Sequence, residues 1–80
     1  MDYEVYSTRE KIYVDYGEYG VIARLCEMSA EYYKVEDGNV KTIEIVLKSS
    51  LKEFQEKCRK YYGIEIDIEK HCPVWTRESV

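Results

Sequence analysis

The sequence predicts an α+β fold: a small mixed, mostly antiparallel β-sheet of four to five strands, with one main amphipathic helix over 50–62 packed on one face. Three observations carry this reading. The helix has its start, apolar stripe and stop all written in it, period-two runs flank it at 40–48 and 64–68, and Asp37-Gly38 is a hairpin turn signal.

Ser50 followed by Glu53 forms a capping box, in which the hydroxyl takes an orphan backbone N–H and the carboxylate reaches back to the cap. Leu51, Phe54, Cys58 and Tyr61/Tyr62 recur at spacings of three and four and must face a core. On the other side, Glu53 precedes Lys57 and Glu56 precedes Lys60 by four residues, pairs worth together ~0.5–1 kcal/mol. Lys57, Arg59 and Lys60 sit where the helix dipole favours cations, and Gly63 is placed to close the helix in a left-handed conformation, with Ile64 packing back on Cys58.

Ile64-Glu65-Ile66-Asp67-Ile68 alternates without a fault and predicts a strand, as does Val40 to Lys48, with Ile43, Ile45 and Leu47 on one face. Strand, helix and strand with short joints favour a right-handed parallel crossover over an antiparallel return. A two-residue turn on Asp37-Gly38 sets Val35 opposite Val40, Tyr32 opposite Ile43, Ala30 opposite Ile45 and Met28 opposite Leu47. A three-residue turn would put Glu31 against Ile45 and is less favoured. Residues 20–31 fit a strand extending this hairpin better than a second short helix at 20–30, since no capping residue immediately precedes residue 20. Tyr3 to Tyr6 and Lys11 to Tyr16 read as a second hairpin around Ser7-Thr8-Arg9-Glu10, with Gly17 to Gly20 as the turn out of it. The tail carries Pro73, which favours an extended end with Val74 and Trp75 docking on the sheet.

Eighty residues make a single domain, 1–80, with 76–80 as a frayed tail. The 45% hydrophobic share suits a folded chain, and no apolar run approaches the roughly 20 residues of a membrane span. Acids at the start, where an export signal needs cations, predict a soluble cytoplasmic protein. Cys26, Cys58 and Cys72, odd in number and without C-x-x-C spacing, read as thiols in a reducing compartment, with one pairing among them left open.

Three constellations could carry chemistry. His71 beside Cys72 points to opposite sides of an extended chain and does not make a nucleophile and base. Zinc would need Cys26, Cys58, Cys72 and His71 to converge without the usual ligand spacing. Glu65, Asp67 and Glu69 read as a solvated strand face rather than an acid/base or cation cluster. Gly-rich phosphate loops and hydrolase or metalloprotease motifs are missing, so the expectation is no enzyme, no metal and no cofactor.

The outlying feature is tyrosine, nine residues against one Phe and one Trp. Tyrosine gives large, rigid contact area with a polar tip, and interfaces are enriched in it; it can equally do the work of Phe in a core. Tyr3, Tyr6, Tyr13, Asp15, Tyr16, Glu18 and Tyr19 form the candidate partner-binding set, because the aromatics there are interleaved with acids. Residues 1–46 hold ten acids against five bases, while 47–63 hold two against five. With pI near 5.0, direct nucleic-acid binding is disfavoured, and a partner protein with a basic surface fits better.

In size, charge and want of a catalytic motif, the chain resembles small phage or mobile-element inhibitors of host nucleases and defence systems, anti-CRISPR proteins among them. The resemblance implies a non-enzymatic inhibitor that blocks a basic, nucleic-acid-handling surface. Two rival readings are an anion or nucleic-acid binder using Lys52, Lys57, Arg59 and Lys60 on the helix, and a homo-oligomer built by pairing an exposed strand edge.

Overall fold

The computed structural model describes residues 3–27, 29–71 and 73. Five strands, β1 (Glu4–Ser7), β2 (Ile12–Asp15), β3 (Val21–Cys26), β4 (Ser29–Glu36) and β5 (Asn39–Val46), lie in sequence order in one sheet, each antiparallel to the next. Two helices follow, α1 (Leu51–Tyr62) and the short α2 (Ile68–His71). The predicted α+β class is the observed one.

The core lies between one face of the sheet and α1. Ile12, Val14, Ile22, Ala23, Leu25, Ala30 and Tyr32 enter from the strands, Phe54 and Cys58 from α1, and Ile66 from the segment beyond. Phe54 and Cys58 come from the predicted stripe, with Leu51, Tyr61 and Tyr62 half-buried beside them. Ser50 caps α1 by accepting from the Glu53 amide at 3.1 Å. Gly63, at φ 68°, closes it with its N–H donated to the Arg59 carbonyl, a conformation that costs a side-chain-bearing residue about 1 kcal/mol.

The Asp37-Gly38 turn has positive φ at both positions, 53° and 77°, and sets Glu36 opposite Asn39 and Val35 opposite Val40. Beyond Tyr33 opposite Thr42 the register shifts, because β5 bulges and Tyr32 then faces Glu44. The expected pairs Tyr32 with Ile43 and Ala30 with Ile45 are therefore replaced by Glu31 with Ile45 and Ala30 with Val46. One extra residue reverses the inward face of β5: Val46 turns towards the core, while Ile45 is 56% and Leu47 78% exposed. The pair involving Met28 lies outside the described residues.

Three other expectations are corrected. Residues 20–31 are neither a helix nor one long strand: β3 and β4 are separate strands that meet at Cys26 opposite Ser29. Cys-Glu-Met-Ser carries none of the glycine, proline or asparagine that marks a turn, which is why the reversal left no sequence signal.

Residues 64–68 do not form a strand, and no parallel crossover exists among the described residues. The chain runs unpaired with Ile66 buried, its carbonyl accepting from Gln55 Nε2 at 2.9 Å. Asp67 then caps α2 by accepting from the Glu69 and Lys70 amides. Alternation reports an extended chain with one buried side; it does not report a ladder partner. Pro73 is helical rather than extended, and Val74, Trp75 and residues 76–80 lie outside the described set.

Candidate functional site

Strand alternation divides the predicted tyrosine set between two surfaces. Val5 and Val14, paired across β1 and β2, face the helix, so their neighbours Glu4, Tyr6, Tyr13 and Asp15 face outward. On that outer face the Tyr6 and Tyr13 rings stack at 5.0 Å. Beside them Glu4 lies directly opposite Asp15, two carboxylates across one rung, and neither joins an ion pair with another described residue. Like charges so placed repel one another, and a cation between them would relieve this.

The same outer row continues through Arg24 and Glu31 to Ile45. Arg24 Nη2 pairs with Glu31 Oε2, and the Tyr33 hydroxyl donates to Glu31 Oε1 at 2.8 Å. The Arg24 hydrogen bond, then that of Tyr33, holds the Glu31 carboxyl below its ordinary range, and the hydrogen bond to Glu31, then burial, raises the Tyr33 phenol. The outer face is thus acidic over β1 and β2, neutralised at its centre and apolar at β5.

Tyr3, Tyr16 and Tyr19 lie on the other side. Tyr3 stacks on Tyr16 at 4.6 Å, Tyr16 on Tyr19 at 5.8 Å, and Tyr3 reaches Tyr62 at 5.7 Å. The series passes through Tyr61 to Tyr32 and Phe54 in the core. Burial, and secondarily Tyr16, raises the Tyr3 phenol. Glu18 stands exposed on the 3₁₀ turn Gly17–Tyr19.

These rings, together with Tyr61, Tyr62, Lys34 and Val35, line a cleft of about 250 Å³. Its origin is a parting of strands. The β3–β4 ladder stops at Ala23 opposite Tyr32, and β3 bulges at Ile22 before Val21 pairs with Asp15. At the fork the Tyr62 hydroxyl lies 2.9 Å from the Ile22 carbonyl and 2.7 Å from the Tyr33 carbonyl, and accepts from the Tyr33 amide at 3.1 Å. In the sequence Tyr61 and Tyr62 read as part of the core stripe, and nothing there marks Lys34 or Val35 as lining a cleft. No local signal marks the fork, because it depends on a bulge in one strand and a side chain forty residues away.

The basic residues of α1 are dispersed. Lys57 does not pair with Glu53; it pairs with Glu44 of β5 and lies 5.6 Å from the centre of the Tyr32 ring. Arg59 pairs with Glu65 at 2.8 Å, and Lys60, in place of the expected Glu56 contact, sits 5.7 Å from the centre of the Tyr61 ring. Lys52 lines a second cleft with Gln55, Glu56 and Arg59, where the two acids Glu56 and Glu65 also stand.

Cys26 and Cys58 are free thiols, and burial pushes Cys58 up to about 12. Cys72 lies outside the described residues, and His71 Nδ1 accepts from the Asp67 amide at 3.1 Å. No group of three or more His, Cys, Asp or Glu side chains among the described residues is placed to hold a metal ion. No helix among them is long and apolar enough to cross a membrane. Comparisons with protein-family models, curated proteins and solved structures returned no match.

Proposed function

We propose that the chain is a non-enzymatic protein-binding module that meets a basic surface of another protein with the outer face of β1 and β2. The observation that carries this reading is the stacked Tyr6–Tyr13 pair beside the opposed carboxylates of Glu4 and Asp15, neither of which is in an ion pair with another described residue. A lysine or arginine from a partner gains twice there, by relieving the carboxylate repulsion and by lying on an aromatic face. The finer reading, an inhibitor covering a nucleic-acid-handling surface, draws on the same chemistry, since the two carboxylates offer acceptor oxygens where phosphates would otherwise sit. The rival anion-binding reading has less support, because Lys57 and Arg59 already hold carboxylates.

An amide-resolved NMR titration tests this, using a short arginine-rich peptide in one arm and a single-stranded oligonucleotide at low salt in the other. Peptide shifts centred on Glu4, Tyr6, Tyr13 and Asp15, weakened about fivefold or more by Glu4→Gln with Asp15→Asn, are the expected result. Steeply salt-dependent oligonucleotide binding at Lys52, Lys57, Arg59 and Lys60 would instead establish the rival.

A further inference from the structure

We propose that the cleft at the β3–β4 fork is a second binding site, one that takes an extended segment of another polypeptide as a short added strand on β4 at Val35. In a two-residue turn the flanking pair, Glu36 and Asn39, exchanges both ladder bonds, and bonded and non-bonded pairs then alternate. Lys34 opposite Lys41 is therefore a bonded pair and Val35 opposite Val40 is not. The N–H and C=O of Val35 point away from β5, towards the side on which Tyr33 meets the Tyr62 hydroxyl.

On that side β3 has already left. Its last partner on β4 is Tyr32, the Tyr62 hydroxyl supplies the next rung, and no described residue offers Val35 a backbone bond. An open donor and acceptor on a strand edge, set in a cleft with Tyr16 and Tyr19 within it, is the arrangement by which strand addition works. Main-chain bonds give affinity, and the rings take alternate side chains. The Tyr62 wedge holds the fork apart, so the slot exists before any ligand arrives.

The probe is a capped hexapeptide, Ac-Lys-Thr-Tyr-Val-Thr-Lys-NH₂, with two twins, each N-methylated on the amides of one strand edge. Amide shifts are followed on the full chain. The expected result is binding centred on Val35, Tyr16 and Tyr19, lost about tenfold or more in one twin and retained in the other, since only one edge can pair. Val35→Pro, which removes the donor without touching a β5 bond, abolishes the shifts while the β4–β5 hairpin stays folded by circular dichroism and amide pattern.

All three peptides carry the same charge. Equal binding by all of them, with shifts at Glu4, Tyr6, Tyr13 and Asp15 alone, would support the outer-face reading and overturn this one. A Val35 amide already protected from hydrogen exchange in the free chain would also overturn it, because the edge would then be filled by the chain itself.

Discussion

The Tyr62 hydroxyl takes the place of a backbone rung beside Tyr33, accepting its N–H at 3.1 Å while lying 2.7 Å from its C=O. One side chain thereby ties the end of α1 to both β3 and β4 where the two strands part. Tyr62→Phe leaves the Tyr33 amide and the Ile22 carbonyl without this partner at a half-buried site. The expected loss is about 1–3 kcal/mol, read as a lowered urea midpoint with unchanged slope.

Tyr32 predicts the contrary sign. Its side chain is fully buried, its hydroxyl makes no hydrogen bond of normal geometry with a described residue although Ser49 stands near it, and burial raises the phenol far above its usual range. Removing that hydroxyl keeps the ring contacts with Phe54 and Tyr61. Tyr32→Phe should leave stability unchanged or raise it by about 1 kcal/mol, measured by the same urea titration. A loss matching that of Tyr62→Phe would contradict the assignment.

Cys58 is fully buried on the core stripe, and its thiol is pushed up to about 12. At pH 8 it should stay unmodified by a maleimide in the native protein while the partly exposed Cys26 reacts, with the sites read by peptide mass mapping. Adding denaturant should release Cys58.

Stability should fall at both ends of the pH scale. Glu31 is held below its ordinary range by Arg24 and then Tyr33, so its contribution is present above an unfolded value of ~4.3 and is lost as pH falls through the lowered folded one. Glu36, beside Lys41 and Lys34, acts in the same direction. Tyr32 and Tyr62 are raised by burial, so their contribution is complete below an unfolded value of ~10 and is lost as pH rises beyond it. Urea midpoints from pH 3 to 11 should show a plateau with two descending limbs, and Glu31→Gln should flatten part of the acid limb only.

The two ends of α1 give separate increments. Ser50→Ala removes the acceptor for the Glu53 amide and should cost about 1 kcal/mol. Gly63→Ala places a side chain at φ 68° and should cost about as much, although nothing lies within 4 Å of the added methyl. Thermal unfolding of the single and double variants should show the losses adding, since the twelve residues of α1 separate the two sites.

The elements that could be read in the chain are those set by neighbours in sequence. Ser50, the 51-54-58 spacing and Gly63 gave α1 to within one residue, and Asp37-Gly38 gave the hairpin and its first pairs. The reversal after Cys26 was not legible, because its turn lacks the usual residues, nor was the unpaired course of 64–67, because alternation looks alike in a ladder and in an extended chain laid on a core. For the candidate sites, the abundance of tyrosine and its mixing with acids were visible in the chain. The division of the tyrosines into an outer pair, Tyr6 and Tyr13, and an inner stack, Tyr3, Tyr16 and Tyr19, was not read from the chain.

What the sequence determined alone was local: where the helix starts and stops, where β4 turns into β5, and that the sheet needs one buried face. Tertiary structure decided the rest through two single-residue bulges, at Ile22 and opposite Tyr32/Tyr33. A strand has a side-chain period of two, so one inserted residue reverses every later face, and whether it is inserted depends on packing against distant groups such as Phe54 and the Tyr62 hydroxyl. The fork at β3 and β4, and the cleft it opens, follow from that non-local choice.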